Sequence, residues 1–266
     1  MAFTTLTDGT TLYWEDSGTG SPLLLIQGLG WSAEMWYSLV PELEQKHRVI
    51  RYDGRGIGRS DVPAGPYSIE QMADDAVAVL AAAGVERAHV LGVSLGGIVA
   101  QEVALRHPDV VTSLLLGCTH PGGQETVWPD PQVMEVLKSR ADMPFDEAVR
   151  AAVTYAYSAD CDPAVIEQDM KRRLDLPTSP VGYQGQLLGG LGYQGTIPRL
   201  KALGVPALVF TGDADQMVPP ENSATIAEAI PDSTLVTIPG AGHVVFTEQP
   251  SAVATAVLEF LDRVDA

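Results

Sequence analysis

The stretch Ala88-His89-Val90-Leu91-Gly92-Val93-Ser94-Leu95-Gly96-Gly97-Ile98 decides the fold. Its first six residues are almost all apolar or small, the pattern of a strand buried on both faces. From Gly96 the pattern turns helical and continues to about residue 107, so Ser94 stands on a strand-to-helix turn. A turn that sharp brings backbone against backbone, and Gly92 and Gly96 remove the Cβ atoms that would collide there. It projects the Ser94 hydroxyl above the sheet edge. It also aims the Leu95 N–H and the positive end of the helix at whatever that hydroxyl attacks.

Working outward, the same rhythm recurs. Leu23-Leu24-Leu25-Ile26 and Arg48-Val49-Ile50-Arg51-Tyr52 upstream read as buried parallel strands. So do Val111-Thr112-Ser113-Leu114-Leu115-Leu116, Ala207-Leu208-Val209-Phe210 and Thr234-Leu235-Val236-Thr237-Ile238 downstream. Helical patterns lie between them near 33–45, 69–83, 221–230 and 250–264, and Ser68 with Gln71 forms a capping-box signal for the second. Asp8-Gly9-Thr10 marks a hairpin ahead of the first parallel strand, so the sum is an α/β sheet with an antiparallel start. The rhythm breaks between 119 and 196, where helical patterns near 131–141, 145–158 and 163–174 follow one another without a strand. Gly-Tyr-Gln-Gly occurs there twice, at 182–185 and 192–195, and reads as a glycine-rich hinge or turn. Residues 1–118 and 197–266 are therefore expected to form one core, and 119–196 a helical insertion over it.

A serine hydroxyl is a weak nucleophile without a base and an orienting acid. His243 follows the last strand in Pro239-Gly240-Ala241-Gly242-His243. Asp213 and Asp215 follow the preceding one in Thr211-Gly212-Asp213-Ala214-Asp215. Parallel strands end on one side of the sheet, so topology alone gathers these groups around Ser94.

These residues resemble the α/β-hydrolase family, and the resemblance covers nearly the whole chain. It runs through Gln27-Gly28-Leu29-Gly30, Asp53-Gly54-Arg55-Gly56-Ile57-Gly58-Arg59-Ser60, the Ser94 turn, Gly212-x-x-Asp215 with Val218-Pro219, and Gly242-His243 with Glu248-Gln249-Pro250. It implies an α/β-hydrolase fold: an eight-stranded, mostly parallel sheet with a helical cap inserted after strand six. It implies a triad of Ser94, Asp215 and His243, the Gly-x-x-Asp spacing favouring Asp215 over Asp213. It also implies an oxyanion hole formed by the Leu29 and Leu95 backbone N–H groups. Gln27 departs from the histidine usual before that glycine, which leaves the shape of the hole less determined. Cys118 ends strand six, where some relatives carry the acid, and being no acid it strengthens Asp215. The segment from Arg51 to Asp75 looks most like small esterases and enol-lactonases.

Composition narrows the chemistry. Lys and Arg number 16 against 34 acids, a net charge of −18, which excludes a nucleic-acid groove binder and disfavours an anionic membrane surface. Mean hydropathy of +0.09 with 19% charged residues excludes a disordered polyanion. The N-terminus lacks the basic and apolar regions of a signal peptide, and two cysteines, Cys118 and Cys161, give no disulfide framework; a cytoplasmic protein is expected. No metal-ligand spacing or phosphate-binding loop occurs, and neither metal nor cofactor is expected. The sharpest rival is a dinucleotide fingerprint, Gly28-x-Gly30-x-x-Ala33 followed by a strand ending at Asp53. Trp31 inside that turn and the preceding hairpin weigh against it. A non-catalytic receptor on the same fold is a further alternative, weighed down by a complete triad.

The leading expectation is hydrolysis of a carboxylic ester of a small to medium, largely neutral substrate through an acyl-enzyme on Ser94, by a monomer or homodimer. Enol-lactone hydrolysis, perhydrolysis and C–C bond hydrolysis are alternatives on the same triad. Trp31, Trp128 and His120 are candidate substrate-binding residues. Trp36, Met134, Met143, Tyr155 and Tyr157 could add apolar lining. The net charge should repel anionic substrates unless a local cation, such as Arg55, compensates. His47, His89 and His107 read as structural.

Overall fold

The computed structural model describes residues 1–266. Its single sheet contains β1 (Ala2–Thr5), β2 (Thr11–Ser17), β3 (Ser21–Ile26), β4 (His47–Tyr52), β5 (Ala88–Val93), β6 (Val111–Gly117), β7 (Ala207–Gly212) and β8 (Ser233–Ile238). They are ordered β1-β2-β4-β3-β5-β6-β7-β8. The first two form the hairpin, with the Thr10 N–H donating to the Asp8 carboxylate at 2.9 Å, and β2 joins β4 antiparallel. Every other neighbouring pair is parallel.

The helices are α1 (Val40–Leu43), α2 (Ile69–Ala82), α3 (Leu95–Arg106), α4 (Pro131–Ser139), α5 (Phe145–Ala156), α6 (Pro163–Asp175), α7 (Pro180–Leu191), α8 (Ile197–Leu200), α9 (Glu221–Ala229), α10 (Val245–Glu248) and α11 (Pro250–Val264). Strand residues alternate between two cores. Leu24, Ile26, Val90, Leu114, Leu116 and Val209 pack under α2, α3 and α9. Leu23, Leu25, Leu91, Leu115, Leu208 and Phe210 pack with Trp36, Leu39 and α11 on the other face. Burial on both faces is why these strands read as continuous apolar runs. Ser68 caps α2, its hydroxyl accepting from the Gln71 N–H at 3.1 Å.

Two sequence expectations are corrected. The helix expected over 33–45 is a 3-10 turn, Ala33–Trp36, followed by the four-residue α1. Pro41 has no N–H to give a preceding carbonyl and cannot continue a helix begun at Ala33. The first Gly-Tyr-Gln-Gly copy is no hinge: it lies inside α7, and only the second lies in a turn. Gly182, Gly185 and Gly189 share one face of α7 and press it onto residues 56–67. A Cβ on Gly182 would meet the Gly56 carbonyl, one on Gly185 the Tyr67 ring at 2.7 Å, and one on Gly189 the Tyr67 carbonyl. Close backbone approach overrides the poor intrinsic helix propensity of glycine here.

The 119–196 segment contributes α4 to α7 and no strand, and lies beyond the C-terminal ends of the parallel strands. No helix is long and apolar enough to cross a membrane.

Candidate active site

Ser94 sits between β5 and α3 with φ +53° and ψ −124°, in the region that L residues avoid. The surroundings hold it there. Its N–H donates to the Gly117 carbonyl at 2.9 Å, and its own carbonyl accepts from the Thr119 hydroxyl at 2.6 Å. A Cβ on Gly92 would strike the Gly96 carbonyl, and one on Gly96 the Ile26 and Gln27 carbonyls. Both glycines are thus sterically required.

The Ser94 Oγ lies 3.0 Å from His243 Nε2, and His243 Nδ1 lies 2.8 Å from Asp215 Oδ2. Asp215 Oδ1 accepts from the Met217 and Val218 N–H groups, both at 2.8 Å, so the carboxylate is fixed before it meets the ring. Its side chain is fully buried, whereas His243 keeps an opening toward the cavity. Asp213 is turned elsewhere, accepting from the Gly240 N–H at 2.6 Å and tying β7 to the loop that carries His243. That loop is pinned again by Glu248, which accepts from the Gly242 N–H at 2.9 Å and from the Ser158 N–H and hydroxyl at 3.1 and 2.6 Å.

The loop after β3 runs beside the serine: a Cβ on Gly28 would stand 3.0 Å from the Ser94 Cβ. The Leu29 and Leu95 N–H groups have no acceptor in the protein. Gln27, at the position of the usual histidine, turns its Oε1 back to the Gly28 N–H at 3.0 Å and so folds the loop locally. Gln186 of α7 accepts from the Gly30 N–H at 3.0 Å, and Thr178 donates to the Gly30 carbonyl at 2.8 Å. The insertion therefore helps to set the position of the loop that faces Ser94.

A cavity that opens to solvent lies over these groups, and most of its lining is apolar. Trp31, Trp128 and His120 all line it, as do Met134 and Phe246. Trp128 is 45% exposed and stands at the mouth, its ring 5.5 Å from His120. Burial, and secondarily the nearby His243, pushes His120 down to about 4, so the ring is neutral at physiological pH. Its Nδ1 accepts from the Gly122 N–H at 3.2 Å. Trp36, Met143, Tyr155 and Tyr157 stand outside the lining; Trp36 is fully buried against Phe246.

Arg55, the expected local cation, does not serve the cavity. It is buried in a two-pronged pair with Asp75, both contacts 2.6 Å, and meets Asp8 at 3.2 Å. Net charge does not by itself describe the cavity wall. Arg140 and Arg173, both from the insertion, line it. Neither is marked out by its local pattern: Arg173 closes the run Lys171-Arg172-Arg173, which looks like a solvated helix end. Its one positional clue is Asp169, a helical turn earlier and itself buried.

The remaining histidines are structural. His89 bridges Ser113 at 2.7 Å and Asp265 at 3.0 Å, His47 meets Ser21 at 2.9 Å, and His107 meets Asp74 at 2.7 Å. Asp53 points inward rather than toward a ribose, accepting from the Ala33 N–H at 2.8 Å and from Arg59 Nε at 2.8 Å. The dinucleotide fingerprint is thereby absorbed into the loop. No group of three His, Cys, Asp or Glu side chains is arranged to hold a metal ion.

A family model described as alpha/beta hydrolase fold matches residues 21–250. A protein named "Putative carbamate hydrolase RutD" from Azorhizobium caulinodans is 33% identical over 260 residues, covering 96% of each chain. A thermophilic esterase from Thermogutta terrifontis, solved with malate bound, superposes with a TM-score of 0.86 at 32% identity, covering 99% of this chain and 97% of the other. The enol-lactonase of Burkholderia xenovorans LB400 gives a TM-score of 0.88 at 26% identity, covering 98% and 100%.

Proposed function

Because the chain belongs to the α/β-hydrolase family, we propose that it is a serine hydrolase that cleaves a carboxylic ester through an acyl-enzyme on Ser94. The observation that carries this reading is the chain of contacts from Ser94 Oγ to His243 Nε2 at 3.0 Å and from His243 Nδ1 to Asp215 at 2.8 Å. A donor facing Asp215 at Nδ1 leaves Nε2 as the lone-pair acceptor for the serine proton. Ser94 Oγ attacks the ester carbonyl as His243 takes that proton. The negative oxygen of the tetrahedral intermediate finds the free Leu29 and Leu95 N–H groups, donors already in place before the reaction. His243 then returns the proton to the departing alcohol. Water, activated by the same ring, hydrolyses the acyl-enzyme.

The 119–196 segment acts in this reading as the cap that closes the substrate cavity, and residues 1–118 with 197–266 as the core that carries the triad. Esterase activity is supported by the likeness to the Thermogutta esterase. A lactone is a cyclic ester and follows the same steps. The likeness to the enol-lactonase, together with cations in the cavity wall, keeps it as the second reading. The triad needs no cofactor, and the substrate is a small molecule.

Substitution Ser94→Ala tests the proposal. Turnover of a p-nitrophenyl ester should fall by about four to six orders of magnitude with the melting temperature preserved. A fluorophosphonate should label Ser94 in the native protein. Unchanged turnover in the variant overturns the assignment.

A further inference from the structure

The twelve arginines of this protein differ in how their charge is met. Arg48, Arg51, Arg55, Arg59, Arg106 and Arg199 each meet a carboxylate. Arg140 and Arg173 are 7% and 8% exposed, more deeply buried than most of those, yet neither guanidinium forms an ion pair with a protein carboxylate. Arg173 Nε and Nη2 and Arg140 Nε are enclosed without an acceptor. The guanidinium of Arg173 lies over the Trp31 ring at 4.7 Å, and that of Arg140 over the Tyr183 ring at 4.9 Å. Those ring faces attract the two cations without supplying a carboxylate to either.

The one buried acid close by is already engaged. Asp169 accepts from the Tyr37 hydroxyl at 2.6 Å and the Tyr157 hydroxyl at 2.8 Å, one phenol on each oxygen. Burial, reinforced by the like charge of Arg140, pushes Arg173 down to about 9, so it still carries its proton at physiological pH. Two cations in an apolar wall, with one buried carboxylate nearby and no ion-paired partner for either, are costly to maintain. They belong to the same cavity as Ser94, His243, Leu29 and Trp31.

We propose that Arg140 and Arg173 form the anion subsite of the cavity, and that the substrate is an ester bearing a carboxylate away from the bond that is cut. The inference rests on the reading of Ser94 as the nucleophile. The ester carbonyl sits at Ser94, an aliphatic segment crosses the apolar lining, and the carboxylate closes the charge on the two guanidinium groups, which suit its planar two-oxygen geometry. A cationic wall inside a protein of net charge −18 is a local device, set against the field of the whole molecule.

The test compares matched ester pairs that differ only in a terminal carboxylate or the isosteric carboxamide. One series is monomethyl esters of dicarboxylic acids of increasing length, with the charge on the acyl side. The other is acetate esters of ω-hydroxy acids, with the charge on the alcohol side. In at least one series, kcat/KM should favour the carboxylate by about tenfold to hundredfold at the best length. That ratio should fall toward one in Arg140→Met, Arg173→Met and the double variant. Calorimetric titration of Ser94→Ala with the same pairs reads binding without chemistry, and should show the same preference and the same loss.

A native protein that treats carboxylate and carboxamide alike in both series overturns the proposal even if the arginine variants do not fold. So does a preference that survives both substitutions. Failure of the nucleophile reading looks different: no fluorophosphonate label on Ser94 and no turnover of any ester, with the calorimetric preference intact.

Discussion

Asp215→Asn is the substitution whose outcome follows most directly from the geometry. Asp215 Oδ1 accepts from the Met217 and Val218 N–H groups and Oδ2 faces His243 Nδ1, all at 2.8 Å. An asparagine there must keep its oxygen on the two N–H groups. Turning it over would set an NH2 against two buried donors and lose two hydrogen bonds, at about 1–3 kcal/mol each. The amide NH2 is thereby forced toward His243 Nδ1, which can then only accept. The ring proton moves to Nε2, on the Ser94 side, and the imidazole can no longer take the serine proton. The expected effect is a fall in kcat of about 10⁴-fold, or about 5 kcal/mol of barrier, with little change in KM. Initial rates on a p-nitrophenyl ester, with near-ultraviolet circular dichroism to confirm the fold, measure it. Asp213→Asn is the control, since Asp213 holds only the Gly240 N–H, and it should stay within about threefold of the native rate. If Asp215→Asn kept kcat within tenfold, or if the two variants fell equally, the assignment of the acid and the tautomer reasoning would both be wrong.

Two further outcomes concern stability. His120 is held neutral down to about pH 4 in the folded protein, whereas the unfolded chain takes up the proton near 6.5. The unfolded state binds more protons between those values, so stability rises with pH through that window and is lost on acidification, by about 3 kcal/mol in full. Urea unfolding at pH 7 and pH 4.5 should show His120→Gln losing markedly less stability on acidification than the native protein; equal losses refute the account. Gly182→Ala should destabilise by about 1–3 kcal/mol, although alanine is the better helix former, because its Cβ would enter the Gly56 backbone. A higher urea midpoint for that variant would show that α7 is not pressed onto residues 56–67 as described.

Much of the frame was legible from residue patterns because both faces of the sheet are buried. Leu23 to Ile26 and Leu114 to Leu116 serve two cores at once, so their runs are unbroken and their boundaries plain. Ser94, Asp215 and His243 were legible for a related reason: each follows a strand, and parallel strands deliver their ends to one place. The insertion resisted the same reading. In α7 Gly182 and Gly185 mimic a hinge, and only what lies beneath them, 126 residues away in the chain for Gly56 beneath Gly182, shows why side chains are excluded there. Arg140 and Arg173 resisted it too, since a guanidinium facing inward from an amphipathic helix has the same local pattern as one facing water. Burial of a charge is decided by tertiary packing, which no short window of sequence records.

The glycine face of α7 makes the pocket unevenly open to change over generations. Positions 182, 185 and 189 admit no larger residue, because the core backbone already fills the space a side chain would need. The same helix carries Gln186, which holds Gly30, so this half of the enclosure is locked to the loop beside Ser94. By contrast, α4 offers Met134 and Leu137 to the cavity while only Val133 of that helix is deeply buried. New substrate shapes can therefore be reached by replacing residues of α4 one at a time, each change tolerated by solvent on its far side. Altering α7 would demand several compensating changes in the core at once. A library aimed at a different acyl group belongs on α4, and the wall formed by α7 is the part that such a lineage inherits intact.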